Sequence, residues 1–113
     1  MVTMLGVIEV SRKLRVLTAE ANKKITEVEN LLVGQGHDIR ATTLLEGDTY
    51  LQFRGRLILC NDEKETPWDV TTLETKVKIV QQLDALMEAY HRAVLNEIQR
   101  AEAVQTRTQA SRG

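Results

Sequence analysis

The sequence predicts an α+β fold in which a long N-terminal helix and a long C-terminal helix flank a two- or three-stranded antiparallel β-meander (α-β-β-β-α). Three observations carry this. Apolar residues recur in steps of three and four from Val7 to Leu32, and again from Leu73 to Val104, which is the helix period. Between them, residues 38–60 leave the helix period, open with a run rich in β-branched residues and are punctuated by glycine, as strands and their turns are. The single proline, Pro67, stands where the meander ends and the second helix is approached, a place where its missing N–H costs little.

The first helix spans about residues 4–33. Its apolar side is Val7, Val10, Leu14, Leu17, Ala21, Ile25, Val28, Leu31 and Leu32, and its polar side carries Arg12, Lys13, Lys23, Glu27 and Asn30. Gly34 and Gly36 end it, because glycine accepts the left-handed conformation at a helix C-terminus. Gly6 costs helix stability, so the sequence leaves the start open between Met4 and Glu9.

In the meander, residues 39–45 read as a first strand and Glu46-Gly47-Asp48 as a turn. Residues 49–53 follow, then Arg54-Gly55-Arg56, then residues 57–60. Gly55 marks either a second hairpin or a bulge in one long strand. Both alternatives place Leu51, Phe53, Leu57 and Leu59 on one face, and three strands are favoured because an isolated hairpin is marginal in water.

Residues 61–71 form a polar connector. Thr66-Pro67 offers a capping hydroxyl before a proline, and Thr71 to Glu74 offers a capping box. Together they predict a short turn at 67–70 and a helix over about 72–105, with a frayed tail at 106–113. That helix carries Leu73, Val77, Val80, Leu83, Met87, Tyr90, Val94, Ile98, Ala101 and Val104, widened by Ile79, Leu86, Ala89 and Ala93.

At about 1.5 Å per residue such a helix is about 50 Å long. A compact domain of this size has a radius of gyration of about 13 Å, so the helix overshoots its own domain. An apolar stripe that continues past a domain is normally covered by another chain. Met87, Tyr90, Val94, Ile98, Ala101 and Val104 are therefore the expected interface of a homodimer or higher oligomer, with a further protein partner allowed.

The remaining signals exclude more than they assign. Residues 1–60 carry eight Lys/Arg against seven Asp/Glu, and residues 61–113 carry seven against nine. This even balance disfavours nucleic acid as a partner. Met1–Val10 is apolar but lacks a basic leader region and is interrupted by Glu9, so neither a signal peptide nor a membrane span is expected. One cysteine, Cys60, allows no internal disulfide and suits a reducing, cytoplasmic setting. Its ordinary role is a half-buried strand residue. His37 and His91 have no partner at a metal-ligand spacing apart from Glu88, three residues before His91, and half of a di-iron motif is not a site. No phosphate loop or catalytic constellation is present, so neither a cofactor nor an enzyme is expected.

One constellation suits binding. If Leu51 and its neighbours face the helices, the other sheet face displays Tyr50, Gln52 and Ile58 beside Arg40, Thr42 and Leu44, with Arg54 and Arg56 at the turn. Guanidinium forks, an amide and a ring could hold an anionic or nucleotide-like small ligand. The ordinary alternative is a solvated face, with Leu44 and Ile58 in a contact between protomers. Trp68 is read as a plug at the end of the core, with its N–H satisfied at the rim.

The apolar and polar patterns of Ala21–Leu32, Thr49–Cys60 and Thr66–Ala89 resemble small bacterial and phage proteins of helix–meander–helix type, which have no assigned activity. A looser resemblance links the chain to prefoldin-like chaperone subunits, which also hold a hairpin between two long helices. The expectation is a non-catalytic, homo-oligomeric binding protein. The phage-type resemblance implies an accessory protein that inhibits or sequesters a partner, and sequestration of an anionic ligand is the alternative.

Overall fold

The computed structural model describes residues 1–112, with side chains as far as residue 107. Helix α1 (Met4–Gly34) is followed by strands β1 (Ala41–Glu46), β2 (Thr49–Phe53), β3 (Leu57–Cys60) and β4 (Glu65–Pro67). A 3-10 turn (Trp68–Val70) then leads into helix α2 (Leu73–Arg112). The strands form one antiparallel sheet in the order β1-β2-β3-β4. The class is α+β. Among the described residues, no helix is long and apolar enough to cross a membrane.

Thr3 caps α1, its Oγ1 accepting from the Gly6 N–H at 3.0 Å, so the helix starts at Met4 despite Gly6. Gly36 takes φ 71° just past the last turn, the left-handed geometry expected of a terminating glycine. Gly55 lies at φ 78° between two strands, which makes residues 54–56 a hairpin turn and excludes the bulge. Phe53 then pairs with Leu57 and Leu51 with Leu59.

Several sequence expectations are corrected. The connector is not wholly irregular: Glu65–Pro67 adds a fourth, edge strand, and Pro67 sits opposite Ile58 in it. An edge strand tolerates proline because its outer side needs no N–H. The cap of α2 is Thr72, whose Oγ1 accepts from the Thr75 N–H at 3.2 Å, whereas the Thr71 hydroxyl donates backwards to the Trp68 carbonyl at 2.6 Å. The capping box from Thr71 is therefore absent. Helix α2 also runs to Arg112, so the tail expected at 106–113 begins inside it; Gly113 lies outside the described residues.

The core lies between one sheet face and the two helices. It gathers Ile25 and Leu32 from α1, Leu51, Phe53, Leu57 and Leu59 from the sheet, and Ile79, Leu83, Leu86 and Tyr90 from α2. Phe53 and Tyr90 meet edge to face with ring centres 5.9 Å apart. The centre of the α2 stripe differs from the sequence reading: Ile79 and Leu86 are fully buried, while Val77 is 41% exposed. The buried face is turned because α2 must cover β1 and β2 on one flank and α1 on the other.

Leu17, Ala21 and Lys24 lie beside Val77 and Val80, and Leu31 and Leu32 lie beside Met87, His91 and Val94. The helices thus run parallel but out of step. The first turns of α1 project beyond one end of the shared core, and the last turns of α2 project beyond the other. The molecule is 84 × 28 × 17 Å, with a radius of gyration of 20.0 Å.

Candidate functional site

Three regions hold the residues singled out by sequence: the outer sheet face, the far half of α2, and the cleft where α1 ends against α2.

On the outer face the candidate ligand residues are engaged with one another and with acids. The Arg54 guanidinium donates to Glu65 Oε2 at 2.5 Å. Hydrogen bonding to Arg54 holds Glu65 below the ordinary carboxylate range. The Gln52 amide donates to Thr42 Oγ1, and its Oε1 accepts from the Cys60 thiol, each at 3.4 Å. Burial first, and then the charge of Glu65, push the Cys60 thiol up, with Arg54 opposing.

Tyr50 is 45% exposed beside Leu44. Arg40 lines a cleft with Asp38, Glu97 and Arg100, and Arg56 lines another with Glu29, Trp68 and Asp69. Arg54, Gln52 and Tyr50 share one face, but Arg40 and Arg56 open into separate clefts that also hold carboxylates.

Ile58 is not displayed as the sequence reading had it. It is 1% exposed within this single chain. Its register neighbours are Gln52 and Pro67, and the Arg54–Glu65 pair links the β2–β3 turn to β4. Ile58 is thus covered although alternation points it outward, and Gln52 and the edge proline flank it across the sheet.

On α2, the candidate interface residues divide. Tyr90 is 6% exposed in the chain's own core, and Val94 packs against that core. Met87 is half-buried, whereas Ile98 and Val104 are 46% and 59% exposed. Ala101 is exposed as well, and Glu97 and Arg100 form an ion pair between these positions.

Among the described residues, α1 carries more of the exposed large apolar side chains than any other element. Eight large side chains from Met4 to Leu17 are 43–84% exposed. At 100° per residue, Val7, Val10, Leu14 and Leu17 fall on the same face as buried Ala21, Ile25 and Leu32. The stripe was visible in the sequence, but the place where its cover ends was not.

The third region was unanticipated. Leu31, Leu32, Gln35, His37, Met87, Tyr90, His91 and Val94 line a cleft of about 330 Å³. It brings both of the chain's histidines beside a buried tyrosine whose hydroxyl has no hydrogen-bond partner. Glu88, the spacing partner of His91, is instead paired with Arg92. Among the described residues, no three His, Cys, Asp or Glu side chains are grouped to hold a metal.

Glu29 was also missed. Its Oε2 accepts from the Leu57 N–H at 2.8 Å and from Trp68 Nε1–H at 3.1 Å, tying α1 to the sheet and to the plug at the core's end. The only signal was an acid at the edge of an apolar stripe.

No protein-family model, no curated protein and no solved structure matches this chain.

Proposed function

We propose that this chain is a non-catalytic protein-interaction module that associates with a second copy of itself through the N-terminal half of α1. One observation carries the reading. The α1 face that is buried from Ala21 to Leu32 continues, at the same spacing, as an exposed apolar stripe from Val7 to Leu17. Water-exposed apolar stripes of this kind mark association surfaces.

The spacing favours a copy of this chain over an unrelated partner. Steps of three, four and three from Val7 through Val10 and Leu14 to Leu17 read the same in both directions. An antiparallel pair of α1 segments therefore sets Val7 against Leu17 and Val10 against Leu14 about a twofold axis at Arg12, which points away. Such isologous pairing is the usual geometry of a dimer.

The eleven-residue segment from Val7 to Leu17, about 16 Å long and about 10 Å across, presents roughly 160 Å² per copy. This is under half of the roughly 800 Å² of a standard interface, so the dimer dissociates on dilution. Sedimentation velocity across a concentration series tests this. The wild type should move from monomer to dimer as concentration rises, and Val10→Glu with Leu14→Glu should stay monomeric with an unchanged circular dichroism spectrum. A wild type that remains monomeric at millimolar concentration refutes the proposal.

A further inference from the structure

The first turns of α1 carry a second apolar patch, on the side turned away from the stripe assigned to self-association. At about 100° per residue, Met4, Leu5 and Ile8 fall within one arc of about 100° on the helix surface. They are 84%, 72% and 47% exposed. Further along the helix the same arc holds Arg12, Arg15 and Lys23, all exposed. None of these three is in an ion pair among the described residues. No acid of α1 lies in the arc. Glu9, Glu20 and Glu27 fall outside it, and Glu29 is turned to Leu57 and Trp68.

The core lies on the other side of α1, and a second copy paired through Val7, Val10, Leu14 and Leu17 also leaves this arc outside. Its charge and its order along the helix indicate what covers it. The face is purely basic, so it complements an anionic surface. Apolar side chains come first, at the projecting end, and guanidinium groups follow. Leu5 and Arg12 are about 10 Å apart along the axis, and amphipathic segments enter a bilayer to roughly 5–10 Å. A bilayer offers hydrocarbon beneath charged headgroups in that same order.

We infer that the projecting end of α1 docks on an anionic lipid surface, with Met4, Leu5 and Ile8 in the outer hydrocarbon and Arg12 and Arg15 among the headgroups. The arginine forks match phosphate oxygens, and their aliphatic stems lie along the apolar boundary. Lys23, farther from the tip, adds attraction at longer range. The chain rests on the surface without crossing it, since among the described residues no helix is long and apolar enough to span a membrane. The inference does not rest on self-association, because the two faces lie on opposite sides of α1.

The test is flotation of the full chain with vesicles of phosphatidylcholine alone and with one-third phosphatidylglycerol. The wild type should float with the anionic vesicles and only weakly with the neutral ones, and added salt should release it. Leu5→Gln with Ile8→Gln should weaken anionic binding by roughly tenfold or more, through lost apolar burial. Arg12→Gln with Arg15→Gln should weaken it about twenty-five-fold, each basic residue at such a surface being worth roughly fivefold, and should leave neutral-vesicle binding unchanged. Circular dichroism of both variants should match the wild type, since glutamine is a good helix former at exposed positions. Failure to float with anionic vesicles overturns the inference, as does equal flotation with neutral ones or unchanged binding in either variant. Sedimentation without lipid separates the two faces: Leu5→Gln with Ile8→Gln should associate as the wild type does. If that variant loses self-association instead, the patch belongs to a protein interface and the lipid assignment is wrong.

Discussion

Replacing Glu29 with alanine tests whether the carboxylate that joins α1, β3 and the 3-10 turn holds them together. Glu29 Oε2 accepts from Leu57 N–H at 2.8 Å and from Trp68 Nε1–H at 3.1 Å. Both donors belong to buried residues, with Leu57 1% and Trp68 8% exposed. Alanine leaves two N–H groups without an acceptor. Each such loss costs about 1–3 kcal/mol, and Glu29 is itself half-buried, so water recovers part of it. The expected loss is about 2–4 kcal/mol, a large share of a small domain's stability. Glu29→Gln keeps one carbonyl oxygen with two lone pairs, so it should cost only about 1 kcal/mol. Urea unfolding at one fixed protein concentration measures both, since association shifts apparent stability. Trp68 is the only tryptophan and sits at the perturbed site, so its fluorescence should be compared with the circular dichroism of the helices. An alanine variant within about 0.5 kcal/mol of wild type, or a glutamine variant as damaged as the alanine one, refutes the reasoning.

Thr72→Ala should lower stability by about 1 kcal/mol and Thr72→Ser by much less, because the Thr72 hydroxyl oxygen accepts the Thr75 N–H as a helix cap; equal losses by thermal denaturation refute that assignment. Arg54→Met should leave the melting temperature nearly unchanged, because its ion pair with Glu65 is partly exposed and exposed pairs contribute little; a drop of many degrees in thermal denaturation refutes that reading. Cys60 should react with a disulfide reagent at pH 8 more slowly than free cysteine, since burial and Glu65 raise its thiol. Glu65→Gln should accelerate the reaction at that pH, because the neutral amide no longer opposes the thiolate; stopped-flow absorbance reads both rates.

The identity and order of the long elements were legible because each rests on a local period. Ten apolar positions at helical spacing define α2 whatever packs on them, and the pairing of Phe53 with Leu57 follows from strand alternation around Gly55. The short β4 was not legible. Three residues, one of them proline, have no strand signature until β3 lies beside them. Thr71 and Thr72 are equally good caps in sequence, and only the turn at Trp68 engages the first and frees the second.

The candidate sites divide on the same physical ground. Amphipathic stripes are a property of the chain, so the sequence by itself determined that both helices carry apolar faces and that the second is longer than one domain can cover. Where the cover stops depends on how the parallel helices are offset, which is decided by the packing of α2 against the sheet on one flank and α1 on the other. That offset buries Tyr90, takes up Val94 and leaves Val7 to Leu17 exposed. Outward alternation likewise puts Ile58 on the arginine-bearing face, but a strand's exposure depends on its neighbours across the sheet. Pro67 comes to lie beside it only when β4 forms. His37 and His91 are 54 positions apart in the chain and meet around one cleft because a loop ends α1 beside the third turn-pair of α2, a juxtaposition that no local pattern encodes.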